Sequence, residues 1–232
     1  AHENFYITGL KMHPELIKSV AQIKKAAAIT NFEVGELDKK RASAITQACD
    51  EIIGGKLHDQ FIVDPIQGGA GTSLNMNANE VIANRAGEIL GCPKGSYKMV
   101  HPNDHVNMAQ STNDVIPTAG KLTVLDLLAP LEKALGRLER ELAKKAEEFD
   151  DVITMGRTQL QDAVPIRLGQ VFHGYASMVA RDRKRIEKAH KEMYTVNLGG
   201  TAVGTAINVS DSYFYKIVPN LEKLTGYPLR QA

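Results

Sequence analysis

Two stretches in the second half of the chain leave few choices of fold. Between Pro117 and Phe149, leucines recur at positions 125, 128, 131, 135, 138 and 142. That alternation of three and four residues is the apolar stripe of an amphipathic helix. Pro130 lies inside the stretch and is expected to kink or interrupt it. Between Pro165 and Tyr194 the stripe returns in Leu168, Val171, Phe172, Tyr175, Met178, Val179, Ile186 and Met193. Thirty helical residues would run ~45 Å. Helices of that length with narrow stripes cannot cover their own apolar faces and need partner helices, from this chain or from another copy of it. Only two such helices are expected in 232 residues, which favours an oligomer assembled across subunits over a self-contained up-down bundle.

The remaining segments also read as helices. Pro14 suits the first turn of a helix through ELIKSVAQIKKAAAIT. Asp38 can cap a helix that ends at Gly54-Gly55. Asn75 to Leu90 reads as a third helix, closed by Gly91 and Pro93, and Tyr213 to Leu224 as a last one. Strand-like alternation is scarce, so the expected class is mainly α. Short elements give way to long helices near residues 105–117, a loose boundary.

The totals exclude several functions. A net charge of +1 creates no field that would draw in nucleic acid or a membrane surface, so any anion site is local. Cys49 and Cys92 are far apart and in no metal-like spacing, which fits a reducing compartment. No apolar run approaches the roughly 20 residues that span a bilayer. The start, AHENFYITG, has neither a signal-peptide pattern nor an initiator Met, which suggests the interior of a longer chain.

The chemistry is expected in three polar loops, each at a helix entry. Gly68-Gly69-Ala70-Gly71-Thr72-Ser73 lets backbone approach a ligand, and the helix after it offers free N–H groups. It lacks the Lys-Ser/Thr of a P-loop. Gln110-Ser111-Thr112-Asn113-Asp114 precedes the first long helix, and Gly156-Arg157-Thr158-Gln159-Leu160-Gln161-Asp162 precedes Pro165. Capping and turn formation would explain either one alone. Three donor-rich entries in one helical chain also suit a small, multiply charged anion, or charge that develops during a reaction. His101 and His105 are spaced i, i+4, but Pro102 and Asn103 place them in a turn, and no His-Glu-x-x-His is present, so no metal is expected. No Gly-x-Ser-x-Gly elbow occurs, and the Gly199–Gly204 loop has no strand before it, so neither a hydrolase nor a dinucleotide site is expected.

Four segments extend the argument. FIVDPIQGGAGTSLNMNANEVIANRA, VHPNDHVNMAQSTNDVIPTA and ITMGRTQLQDAVPIRLGQ resemble the three signature regions of the aspartase/fumarase superfamily, and VNLGGTAVGTAIN resembles the segment that follows them. The resemblance runs from Asn4 to Arg230 with the motifs in order. It implies a small N-terminal helical domain, here residues 1–110, followed by the first part of a long central helical bundle, here residues 111–232. It also implies a cytoplasmic homotetramer with active sites shared between subunits, no cofactor, and reversible β-elimination that yields fumarate. Thr72, Ser111, Thr112, Asn113 and Thr158 would contact the substrate carboxylates, with the amino group near Thr158 and Gln159. His101, Asn103 and Asp104 match a second, non-catalytic anion site of the fumarases.

Gly-Ala-Gly-Thr-Ser-Leu-Asn, Ser-Thr-Asn and Gln159 favour the aspartase branch, which releases ammonia from L-aspartate. Fumarases tend toward Gly-Ser-Gly-Thr-Gln-Ser-Asn and Ser-Ser-Asn, and carry His at the place of Gln159. A fumarase and a non-catalytic dicarboxylate-binding helical domain are the alternatives. The superfamily's base is a Ser on a Gly-Ser-Ser-Ile-Met-Pro loop. No such segment occurs in these 232 residues, so no catalytic base is assigned here, and a fragment without activity of its own is expected.

Overall fold

A computed structural model describes residues 2–232. The chain is mainly α and forms two compact units. The first holds the residues up to Val124 together with Met193–Ala232, and the second is Leu125–Glu192. The expected division between residues 110 and 111 falls inside the first unit.

Helices of the first unit begin where local chemistry allows. Helix α1 (Pro14–Glu33) has proline in its first turn, and the His13 ring accepts the Glu15 amide. Helix α2 (Lys39–Ile53) starts at Asp38, whose carboxylate accepts the Arg41 amide at 3.0 Å. Helix α3 (Thr72–Ile89) starts three residues before the expected Asn75, because Gly71 takes a left-handed conformation (φ 87°) that ends the loop early. Helix α6 (Asp211–Thr225) is capped by Ser210 and closed by Gly226 in the left-handed region. Ile17, Val20, Ile23 and Ala27 of α1 are buried between α2 and α6, which adds Tyr213, Ile217 and Leu221 to the core, and α2 packs on α3. Each fully buried Ile or Leu contributes about 1.5–3 kcal/mol of transfer free energy. Two short parallel strands, β3 (Thr195–Val196) and β4 (Arg230–Gln231), tie the segment before α6 to the residues after it.

Helix α4 (Thr112–Glu148) contributes its first turns to the first unit and its remainder to the second. It runs through Pro117 and Pro130 without interruption. Pro130 sits on an exposed position, where water can reach the carbonyl that proline leaves without a partner. The second unit also holds α5 (Leu168–Glu192) and an antiparallel hairpin, β1 (Ile153–Thr158) and β2 (Gln161–Arg167).

The hairpin corrects two expectations. The segment around Gly156–Asp162 is not a helix cap, and Pro165 does not start α5; it pairs with Met155 in β2. Proline is tolerated there because a two-stranded hairpin has only edges. The turn residues Gln159 and Leu160 both have positive φ, 46° and 64°, as a two-residue turn matched to strand twist requires. Helix α5 starts only at Leu168, and its backbone meets α4 closely at Gly169. A Cβ there would lie 2.8 Å from the Asp150 Cα and closer still to the Ala146 carbonyl oxygen. Gly169→Ala is therefore expected to destabilise the protein by about 2–3 kcal/mol, since backbone rather than a flexible side chain must yield. Urea unfolding of the variant checks this.

Among the described residues, no helix is long and apolar enough to cross a membrane.

Candidate active site

The first unit brings Thr72 together with Ser111, Thr112 and Asn113. Thr72 opens α3, and the turn before it rests on the first turns of α4: a Cβ on Gly71 would lie 2.8 Å from Ile116 Cγ2. One turn into α3, Asn75 is buried and donates from Nδ2 to Thr112 Oγ1 at 3.0 Å and to Asn107 Oδ1 at 3.2 Å. Gln67 accepts the Leu74 amide at 2.9 Å, so the helix start presents the Thr72 and Ser73 amides.

The 107–114 segment is held from beneath by α1. Lys24 is fully buried and donates from Nζ to Asn107 Oδ1 at 2.9 Å, while Asn31 donates to the Met108 carbonyl at 3.1 Å. Burial pulls the Lys24 pKa down to about 7, opposed chiefly by the Asp114 charge. Ser111 has the capping role open to it from sequence, because its Oγ accepts the Asn113 amide at 3.3 Å. Asp114 completes the cap by accepting the Ser111 amide at 2.9 Å. Its other carboxylate oxygen accepts the Gly199 and Thr201 amides, both at 3.0 Å. Burial raises the Asp114 pKa, opposed by these three amides and by Lys24.

The Gly199–Asn208 loop faces this cluster. Asn113 Nδ2 donates to the Ala202 carbonyl at 2.8 Å, and Asn197 Nδ2 donates back to the Asn113 carbonyl at 3.0 Å. A cavity of about 230 Å³ lies between Gln110 and Ser111 on one side and Thr201, Ala202 and Ile207 on the other. Thr158 and Gln159 belong to the second unit, where both are exposed at the tip of the β1–β2 hairpin, with Arg157 paired to Asp162 across it at 3.0 Å.

His101, Asn103 and Asp104 do share one turn. His101 Nδ1 accepts the amides of both Asn103 and Asp104 at 3.3 Å and lies 3.3 Å from the Asp104 carboxylate. The two amides that an anion would use there are thus covered by the imidazole. His105 Nδ1 accepts the His101 amide at 2.8 Å, and burial followed by the Arg41 charge lowers the His105 pKa. No cluster of three metal-ligating side chains occurs among the described residues.

Sequence reasoning passed over Lys24, Asn75, Asn107 and Asp114. Lys24 and Asn31 did leave a signal: seven residues apart, they fall on the stripe of Ile17, Ala21 and Ala28, where polar side chains are unexpected without buried partners. The arrangement offers hydroxyl and amide donors backed by the buried Lys24 amine, which is suited to holding a carboxylate.

All 232 residues match a family described as lyase. The chain is 56% identical over its full length to an aspartate ammonia-lyase of a Bacillus species, of which it covers 50%. It superposes on fumarate lyase:delta crystallin from Brucella melitensis with a TM-score of 0.93 and 49% identity, covering 100% of this chain and 51% of that one. A class II fumarase from Schistosoma mansoni gives a TM-score of 0.87 and 38% identity, over 97% of this chain and 48% of that one. The chain spans about half the length of the curated relatives it matches. With the family matched over every residue and the relatives this similar, the chain belongs to the aspartase/fumarase superfamily of lyases.

Proposed function

We propose that the protein to which these residues belong eliminates ammonia from L-aspartate to give fumarate. The observation that carries this reading is the half-buried network Lys24–Asn107–Asn75–Thr112, which fixes the Thr112 hydroxyl oxygen between Ser111 and Asn113 in the donor turn. The relatives named aspartate ammonia-lyase, at up to 56% identity, support the choice of substrate. So does Gln159, which supplies an amide where fumarases carry an imidazole.

Removal of the C3 proton places extra negative charge on the neighbouring carboxylate, giving an aci-carboxylate. Donors on Thr72, Ser111, Thr112, Asn113 and Thr158 would take up that charge. Thr158 and Gln159 would sit near the amino group. The base would come from a Gly-Ser-Ser-Ile-Met-Pro loop outside these residues, so residues 1–232 alone are expected to bind rather than convert. We assign residues 1–110 to the N-terminal domain and 111–232 to the start of the central bundle. His101, Asn103 and Asp104 would take a second anion only after the imidazole moves off the two amides. Leu131, Leu138, Tyr175 and Met178 are each 44–50% exposed in a unit with one helix pair, which supports association with further helices; we assign the assembly as a cytoplasmic homotetramer. A small dicarboxylate is the only other partner assigned, with no nucleic acid, membrane or cofactor.

A fumarase is the second reading, favoured by the likeness to the Schistosoma enzyme. A dicarboxylate-binding domain without chemistry is the third. Fumarate absorbance with the full-length chain, first on L-aspartate and then on L-malate, separates them. Turnover of aspartate alone is expected. Turnover of malate would make it a fumarase, and silence with both would favour the binding domain.

A further inference from the structure

Asp114 has no part in the reaction as assigned above, yet it is fully buried and its carboxylate accepts three backbone amides from two separate segments. One oxygen takes Ser111, at the head of the donor turn. The other takes Gly199 and Thr201, at the head of the loop across the 230 Å³ cavity. Backbone amides rather than side chains make these ties, so they fix the main chain on both sides of the cavity at once. The far wall is itself a stiff structure. Gly199, Thr201, Gly204, Ala206 and Asn208 all have positive φ, and the Thr201 hydroxyl donates to the Ile207 carbonyl at 3.0 Å. Non-glycine residues held at positive φ are uncommon and persist where surrounding contacts over-determine them. A second tie, Asn113 with Ala202 and Asn197, runs parallel to the first.

We propose that Asp114 is a positioning residue for the elimination: it pins the Gly199–Asn208 loop against the Ser111–Asn113 donors and so sets the width of the cleft that receives the dicarboxylate. The inference rests on the functional reading above. It makes the Gly199–Asn208 loop a wall of the substrate site, through Thr201, Ala202 and Ile207.

Asparagine at position 114 has the shape of aspartate but only one acceptor oxygen. Its amide group must face either Ser111 N–H or the Gly199 and Thr201 N–H pair, donor against donor. Glutamate keeps both acceptors and moves them by one methylene. In the full-length chain, Asp114→Asn is expected to raise KM for L-aspartate and Kd for succinate 10- to 100-fold. The Gly199 and Thr201 amides should exchange with deuterium at least tenfold faster, with α1 and α2 unchanged. A merely structural defect would instead lower the fraction of competent sites, leaving KM and Kd in place while apparent kcat falls. If Asp114→Asn does not fold, Asp114→Glu decides by the same KM and Kd. Values within threefold of the unsubstituted protein in a folded variant would overturn the proposal. Should the unsubstituted protein turn over neither aspartate nor malate, the functional reading fails on its own. The pin is then judged by amide exchange, and unchanged protection of Gly199 and Thr201 in the variant would overturn it.

Discussion

Thr112→Val in the full-length chain is expected to lower kcat/KM for L-aspartate by about 10²–10³, roughly 3–4 kcal/mol of transition-state stabilisation. Valine matches threonine in shape and removes only the hydroxyl. That hydroxyl is oriented before substrate arrives. Its oxygen accepts Asn75 Nδ2 at 3.0 Å, which directs the proton away from Asn75 and leaves it to donate elsewhere. Asn75 is held in turn by Asn107, and Asn107 by buried Lys24. A donor fixed by three successive half-buried contacts loses little freedom when charge develops on a carboxylate, so its removal falls on the transition state. Thr112→Ser keeps the donor and should stay within about tenfold. Steady-state kinetics with a thermal melt on each variant check the claim. A folded Thr112→Val with unchanged kcat/KM would remove Thr112 from the reaction.

The helices of the first unit were legible because their signals are local. Pro14, Asp38 and Gly54-Gly55 each act within one turn: α1 starts at Pro14, and α2 starts after Asp38 and stops at Gly54. Gly71 is local too, but a side chain there would also meet Ile116, forty-five residues away, and its left-handed conformation starts α3 early. The β1–β2 hairpin was illegible. Its turn is Gln159-Leu160 rather than the Asn-Gly or Asp-Gly that announces such turns, and Pro165 in β2 reads as a helix start. The individual donors are proposed from their loops and the family resemblance. What supports them was not legible there, since the ties from Lys24 to Asn107, Asn75 to Thr112 and Asp114 to Gly199 join segments distant in sequence. Alternation and capping patterns carry no information about such pairs.

Lys24 gives the protein an expected pH signature. Its ordinary pKa of 10.5 falls to about 7 in the fold, chiefly through burial, with Asp114 and Cys49 pulling the other way. Between those two values the unfolded chain holds a proton that the folded chain has released. Stability therefore rises with pH across this window, by about 1.4 kcal/mol per unit and on the order of 5 kcal/mol in all. Asp114 has the opposite sign. Its pKa is raised, so its contribution falls as pH rises through the region just above the ordinary carboxylate range. Cys49, pushed up to about 12 by burial, also opposes Lys24, but only above its ordinary value of 9.0. The difference between the protein and Lys24→Met reports the lysine together with its coupling to Asp114 and Cys49. Urea unfolding at pH 7 and pH 9 should show the unsubstituted protein gaining about 2 kcal/mol relative to Lys24→Met. Equal pH dependence in the two proteins would mean that Lys24 keeps an ordinary affinity for its proton. The full ammonium would then lie beneath Asn107 and the Thr112 donor at every physiological pH. With the expected dependence, that charge is partial near neutrality, and the carboxylate site is strengthened from beneath as the pH falls.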